Sequence, residues 1–380
     1  MRIGLGCPPT VDMRRSSDGI GRYARSLRDA LRRLGRDIQV NELSFPDWLR
    51  PRVAGTLRAP YAISALTALI SRVPSFEESN LVNMIDLFHA TNYRIPAFRR
   101  IPVVASLHDA LLLSHPEWVR PGLRALKAAL LRRLARRANH WITGTAAMVP
   151  ELVEHFGIPV GKISVIHNGV DPIFSVPISV EMRKRVCAKL GVRPPFFLFV
   201  GTLQPRKNIA GLVAAHDRLP LRLRDEFPLV VVGRSGWNAA DEIALLHQRQ
   251  RAGHCAWLDG VDQDELRVLY QSATVMVFPS FHEGFGLPML EAFASGLPTI
   301  ASNRGALLEV SGGAALLVDP ADPDSMAQAM ALVVENENLR LDLVKRGKVR
   351  VSEFSWHRCA AQTADVYANV IRDRGRWSEH

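Results

Sequence analysis

The sequence predicts an α/β protein made of two doubly wound parallel sheets that face each other across a cleft. Three observations predict it. Short β-branched runs alternate with amphipathic segments along the chain, which is the pattern of parallel strands covered by helices. A polar, proline-containing interval from Asp171 to Pro195 splits those runs into two series and reads as a linker. The 380 residues, 47% hydrophobic and 22% charged, are enough for two cores rather than one.

The first series is MRIGLGC (1–7), IQVNELS (38–44), LFHATNY (87–93), PVVASLHD (102–109), HWITGT (140–145) and ISVIHNGV (163–170). The second is FFLFVGT (196–202), PLVVVGR (228–234), HCAWLDG (254–260), TVMVFPS (274–280), LPTIAS (297–302) and AALLVDP (314–320). Helices fit between the runs. No low-complexity tract or tandem repeat interrupts them.

Other classes are disfavoured. Cys7, Cys187, Cys255 and Cys359 have no paired spacing, so neither a zinc ribbon nor a redox pair is indicated and a reducing cytoplasm fits. The start MRIGLGC is too short in apolar residues for a secretory signal and reads as a buried strand. The weakly charged stretch APYAISALTALI (59–70) falls short of the about 20 apolar residues that span a bilayer. The chain therefore reads as cytoplasmic, either soluble or peripheral at the inner face of the plasma membrane.

The net charge of +11 is uneven. Residues 1–180 carry 24 Lys/Arg against 14 Asp/Glu, and residues 181–380 carry 24 against 23, so the base lies in the first half. RPGLRALKAALLRRLARRANH (120–140) holds seven cations, no acid, and leucines at roughly helical spacing. Such a helix suits an anionic membrane surface through residues 120–137, or is half-buried with a solvated arginine face. Nucleic acid is disfavoured as a partner, because no aromatic-interleaved basic strand or recognition module accompanies the charge.

Ligands of doubly wound sheets bind beyond the carboxyl ends of the strands, so the loops there are the candidates. In SSDGIGRYARSL, Gly19 and Gly21 open a helix whose amides could meet an anion. The alternative is a glycine turn only, and the dinucleotide fingerprint lacks its third glycine. In GTLQPRKNI a strand ends at Gly201, and Arg206 with Lys207 stand at the mouth of the next helix, a fork and a point charge suited to pyrophosphate. A solvated helix start is the alternative. In FHEGFGLPMLEAFASG, Pro288 suits a first helical turn, so Gly286 and Leu287 form the cap, and Glu291 leans back toward Glu283. Capping alone is one reading of these acids. Acids beside a phosphate site also make sense when they accept the hydroxyls of a sugar nucleotide. Asp262-Gln263-Asp264 and Asp322-Pro323-Asp324 spell Asp-x-Asp, but each precedes a helix that its first aspartate would cap, so no metal is expected.

FHEGFGLPMLEAFASGLPTIAS resembles the glutamate-x7-glutamate signature of the retaining nucleotide-sugar glycosyltransferases of family 4, whose architecture is the two-Rossmann GT-B fold. The DGIGRY loop, SLHD (106–109), VIHNGVD (165–171, with His167 where proline is usual), VGTLQPRKN and EFSWHRCAAQTADVYANVI occur in family order, so the resemblance covers nearly the whole chain. It implies an N-terminal acceptor-side domain at 1–175, a nucleotide-sugar domain at 176–355 and a helix at 356–380 that returns to the first domain and lets the halves hinge. It implies that Glu283 contacts hexose hydroxyls, Glu291 the ribose, and Arg206 and Lys207 the diphosphate beyond Gly201. Amides around Phe285 and Gly286, from Gly284 to Leu287, would hold the leaving group. Gly19 and Gly21 would approach from the other domain, His108 and Asp109 would sit by the transferred sugar, and Gly260, Val261 and Asp262 would lie near the base.

In that family retention is commonly attributed to same-face attack with the leaving phosphate taking the acceptor's proton. No nucleophile is assigned here, and Glu283 is the runner-up for that role. FHEGFGLP with RKN resembles members that use GDP-mannose or its deoxy relative GDP-rhamnose in bacterial O-antigen assembly. The expected donor is thus a GDP-hexose, with no cofactor, and the acceptor a lipid-linked or growing glycan. A UDP-hexose transferase, an epimerase on the same fold and a non-catalytic sugar-nucleotide-binding protein are the alternatives.

Overall fold

The computed structural model describes residues 1–7, 19–35, 37–44, 76–118 and 124–377. The apolar stretch at 59–70 lies outside them. The chain divides into two compact units. The first holds the described residues to Pro116, those from 124 to Gly169 and those from Ser355 onward; the second holds Glu117, Trp118 and Val170–Phe354.

The first unit is a parallel sheet of β1 (Arg2–Gly6), β2 (Gln39–Leu43), β3 (Leu87–Ala90), β4 (Val103–Ser106), β5 (His140–Thr143) and β6 (Ile163–Val165), in the order β2-β1-β3-β4-β5-β6. Each strand lies within a run read from the sequence. Alternate residues feed two cores: Ile3, Leu5, Leu87, Val104 and Ile142 face one side, and Phe88, Ala90, Val103, Ala105 and Trp141 the other. The first of these cores is closed by the helix Gly19–Arg33 and by the helix Trp356–Trp377, whose Cys359, Ala360, Ala364 and Tyr367 are buried against it. The returning segment is therefore part of the first unit's core.

The second unit repeats the plan with β7 (Phe197–Val200), β8 (Leu229–Val232), β9 (Cys255–Leu258), β10 (Val275–Phe278), β11 (Thr299–Ser302) and β12 (Leu316–Val318), ordered β12-β11-β10-β7-β8-β9. Every residue of β7, β8, β10 and β11 is buried, because helices cover both faces of a parallel sheet.

One reading changes. The interval Asp171–Pro195 is not a bare linker: a 3-10 turn at Pro172–Ser175 and a helix at Val180–Lys189 belong to the second unit. That helix buries Cys187 alone, so its sequence looked solvated, although Ser179 caps its start by accepting from the Met182 amide. The basic segment is a helix at Arg124–Ala135 that buries Leu131, Leu134 and Ala135. Its Arg132 donates to the His155 carbonyl at 2.8 Å, and Arg136, just beyond its end, donates to that of Phe156 at 2.8 Å. The segment is thus the half-buried helix of the second reading, with Arg132, Arg133 and Arg136 exposed, and two of these guanidiniums also close the end of the helix Val149–Phe156. No helix among the described residues is long and apolar enough to cross a membrane.

Candidate active site

In the second sheet the strand order reverses between β7 and β10, where crossover helices pass to opposite sides and the loops part to leave a crevice at the carboxyl ends. The loop after β7 carries Gly201, Arg206 and Lys207, and the loop after β10 carries Glu283. Those loops are tied together: the Phe281 amide donates to the Arg206 carbonyl at 2.8 Å.

Between them lies an ion cluster. Arg206 donates to Glu283 Oε2 at 2.9 Å and to the His282 carbonyl at 2.9 Å. Lys207 donates to Glu283 Oε1, which also accepts from Ser280 Oγ at 2.8 Å. Lys207 and Glu283 are buried, at 7% and 9% exposure, so the charges attract through a poorly screened interior. Burial alone would raise the Glu283 carboxyl, but Lys207 and Arg206, with hydrogen bonds from Lys207 and Ser280, more than offset it and hold it well below the usual range. Two cations to one carboxylate leave the cluster positive.

Asn208 explains why the cations point there. It occupies the left-handed region, φ 60°, between the turn Pro205–Lys207 and the helix Ile209–Asp217. Its amide donates to the carbonyls of Pro320 at 2.6 Å and Pro279 at 3.3 Å, while its Oδ1 caps the helix by accepting from the Gly211 amide. One buried side chain thus locks three loops around Lys207.

The helix Leu287–Ala294 begins at Gly286, whose φ of 104° requires glycine, and Pro288 sits in its first turn as the sequence indicated. Phe285 is buried edge-on to Phe354, 5.9 Å between centroids, and Leu287 is buried at the helix start. Gly284 links this cap to Glu283. Glu291, 2% exposed, accepts from Tyr270 OH at 2.9 Å. The two glutamates therefore have different settings: Glu283 is held by cations, Glu291 by a phenol.

Val261 and Asp262 follow β9, two strands from β7 and so about 10 Å across the sheet. Asp262 closes a capping box, accepting from the Glu265 amide at 2.8 Å, while Asp322 accepts from the Asp324 and Ser325 amides. Both aspartates cap helices, as expected for their position.

The remaining residues lie in the first unit. Gly19 and Gly21 begin the helix Gly19–Arg33, Gly19 exposed and Gly21 buried. His108 and Asp109 follow β4 and are half-buried. His108 Nε2 lies 3.0 Å from the Thr91 carbonyl, which can only accept, so the neutral ring carries its proton there and presents Nδ1 as an acceptor. Burial lowers the His108 pKa, against the opposing pull of the Thr91 carbonyl and Asp109, and favours the neutral ring. Asp109 Oδ1 accepts from Tyr93 OH and from the Leu111 amide at 3.1 Å, so part of its role is to hold its own loop.

Asn208, Ser280 and Tyr270 escaped the sequence reading. The signal for Asn208 was present, since asparagine directly before a helix is a preferred cap.

Two six-stranded parallel sheets covered by helices are the architecture of the GT-B glycosyltransferases. Residues 17–174 match Glycosyltransferase Family 4 and residues 184–350 match Glycosyl transferases group 1, and the chain belongs to family 4 of the glycosyltransferases. O-antigen chain mannosyltransferase B of Escherichia coli is 30% identical over 372 residues, covering 92% of this chain and 95% of the relative. Sucrose-phosphate synthase of Thermosynechococcus elongatus has a TM-score of 0.76 at 21% identity, over 98% of this chain and 99% of that one. HepE of Anabaena, solved with UDP-glucose, has a TM-score of 0.72 at 18% identity, over 97% and 100%.

Proposed function

We propose that this glycosyltransferase moves a hexose, mannose or a deoxy relative, from a GDP-sugar to a lipid-linked or growing glycan with retention at the anomeric carbon. The observation that carries the reading is the Arg206–Glu283–Lys207 cluster at the β7/β10 reversal. A net positive cluster in that crevice suits a diphosphate, and it supplies charge where charge develops as the nucleoside diphosphate departs. Amides from Gly284 to Leu287 add the positive end of a helix. Glu283 and Glu291 take hexose and ribose hydroxyls, His108 accepts a hydroxyl proton through Nδ1, and Gly19, Gly21 and Asp109 complete the donor's surroundings. Val261 and Asp262 serve the base. The mannosyl donor and glycan acceptor draw support from the O-antigen chain mannosyltransferase B relative.

The test is thermal shift against nucleoside diphosphates and their sugars, followed by the anomeric configuration of the product by NMR. Selective stabilisation by GDP and GDP-mannose, lost in Lys207→Ala, is the expected result. Stabilisation by UDP instead would make the chain a UDP-hexose enzyme, and no response to any nucleotide would overturn the reading.

A further inference from the structure

The first unit holds a buried polar chain with no part in the chemistry described above. Tyr23 OH lies 2.8 Å from Ser106 Oγ, Ser106 Oγ lies 2.8 Å from His89 Nε2, and His89 Nδ1 lies 2.6 Å from Tyr367 OH. None of the four residues is more than 3% exposed. They come from four elements: the helix Gly19–Arg33, β4, β3 and the helix Trp356–Trp377. Apolar residues could fill such a core, and a polar chain is tolerated there only when its members satisfy one another in one geometry.

That geometry is directional. His89 is neutral, because burial pushes it down to about 3, so it carries one ring proton. With the Ser106 proton kept within the chain, either Tyr23 donates to Ser106, Ser106 to Nε2 and Nδ1 to Tyr367, or every one of these bonds runs the other way. In both arrangements the same atoms are paired, so the side chains are fixed although the protons can reverse.

The chain ends beside His108. The Tyr23 ring meets the His108 ring edge-on, with centroids 4.7 Å apart and planes at 78°. Its hydroxyl is anchored at Ser106, two residues before His108 on the same segment. Thr91, two residues beyond His89, supplies the carbonyl that holds His108 Nε2. His108 is thus gripped on one atom by the β3 segment and on one side of its ring by Tyr23.

We propose that Tyr23 is a positioning residue for His108, itself held by the Ser106–His89–Tyr367 chain, so that the helix Trp356–Trp377 helps to set the imidazole that meets the donor hexose. This rests on the reading that His108 faces that sugar. It adds that a helix far along the chain shares in orienting it.

The experiment uses the full chain and the variants Tyr23→Phe, Tyr367→Phe and Ser106→Ala. Two readouts are taken: nitrogen NMR of the His108 ring, and kcat and KM with GDP-mannose. Tyr23→Phe keeps the ring and removes the anchor. It is expected to lower kcat about tenfold, the equivalent of about 1.4 kcal/mol for a network hydrogen bond. The donor KM should stay within about twofold, because nucleotide-binding groups in the second unit are untouched. The His108 ring should leave its single Nε2–H tautomer. Tyr367→Phe should move both readouts the same way, less far. Ser106→Ala removes the bonds to Tyr23 and to His89 at nearly constant volume and serves if a tyrosine variant does not fold. Wild-type His108 signals and kcat in the variants, with only a lowered melting temperature, would overturn the proposal. If the wild-type chain transfers no sugar, the functional reading fails, yet the His108 signals still decide whether Tyr23 positions the ring.

Discussion

Gly233 lies so close to the main chain of Gly201 that a Cβ built on it would stand 1.9 Å from the Gly201 carbonyl oxygen. Gly233 follows β8 and Gly201 follows β7, so the contact presses together the loops on which the cation-bearing turn is built. Gly233 also has φ 152°, a conformation that side chains rarely adopt. Gly233→Ala is expected to destabilise the second unit by more than about 2 kcal/mol through clash and strain together. Urea denaturation checks this, and an unchanged midpoint would mean that the loops are free to separate.

Lys207 and Glu283 are buried partners, so removing one strips the other of its buried counter-charge. Lys207→Met and Glu283→Gln are each expected to cost about 3 kcal/mol, moderated by Arg206 and Ser280, which still hold Glu283 in the first case. The double variant should cost less than the sum of the two, with transfer still abolished. A double-mutant cycle read by both unfolding and activity checks the separation, and additive costs would show the pair to be uncoupled.

Asn208 combines a left-handed backbone with a clamp on Pro279 and Pro320. Asn208→Gly keeps the backbone and drops the clamp, whereas Asn208→Ala loses both. The alanine variant should therefore be the less stable of the two by about 1 kcal/mol. Equal melting temperatures would show that the left-handed conformation is not retained.

Acid should act in two windows. Burial lowers the folded pKa of His89 to about 3, below the unfolded value near 6.5, so the unfolded chain binds more protons between them. Its contribution is complete above about pH 6.5 and declines on acidification, by about 2 kcal/mol down to pH 5. His108 shifts in the same direction. Glu283 is also lowered, from a carboxylate reference of 4.5, so its contribution is present above that value and is lost only as pH falls through its depressed folded pKa. Unfolding followed between pH 7 and 5 should thus be flattened by His89→Gln, while the steeper loss below pH 4.5 should be flattened by Glu283→Gln. Identical slopes in His89→Gln and wild type would show that residue to be protonated or exposed.

Much of the fold was legible because buried parallel strands write themselves as continuous β-branched runs, and β1 to β12 all fall within the segments read that way. Arg206, Lys207 and Glu283 could be foreseen as neighbours since each sits just beyond a strand of one crevice. The helix Val180–Lys189 was hidden because it buries so little that periodicity has nothing to show. Ser280, Tyr270 and the Tyr23–Ser106–His89–Tyr367 chain were hidden for another reason. Their meaning lies in partners brought together by topology, such as His89 and Tyr367, which are 278 positions apart. No local pattern encodes such a pairing.

The helix Trp356–Trp377 fills the core of the first unit, although the whole second unit precedes it in the chain. As the ribosome delivers the protein, the first sheet emerges early and the helix Gly19–Arg33 can cover part of the face that holds Ile3 and Leu5, but the rest of that face waits while a complete second unit is made and can fold. The part begun first is the part finished second, and a message cut short after the second unit would yield one mature half joined to one that exposes part of its apolar face.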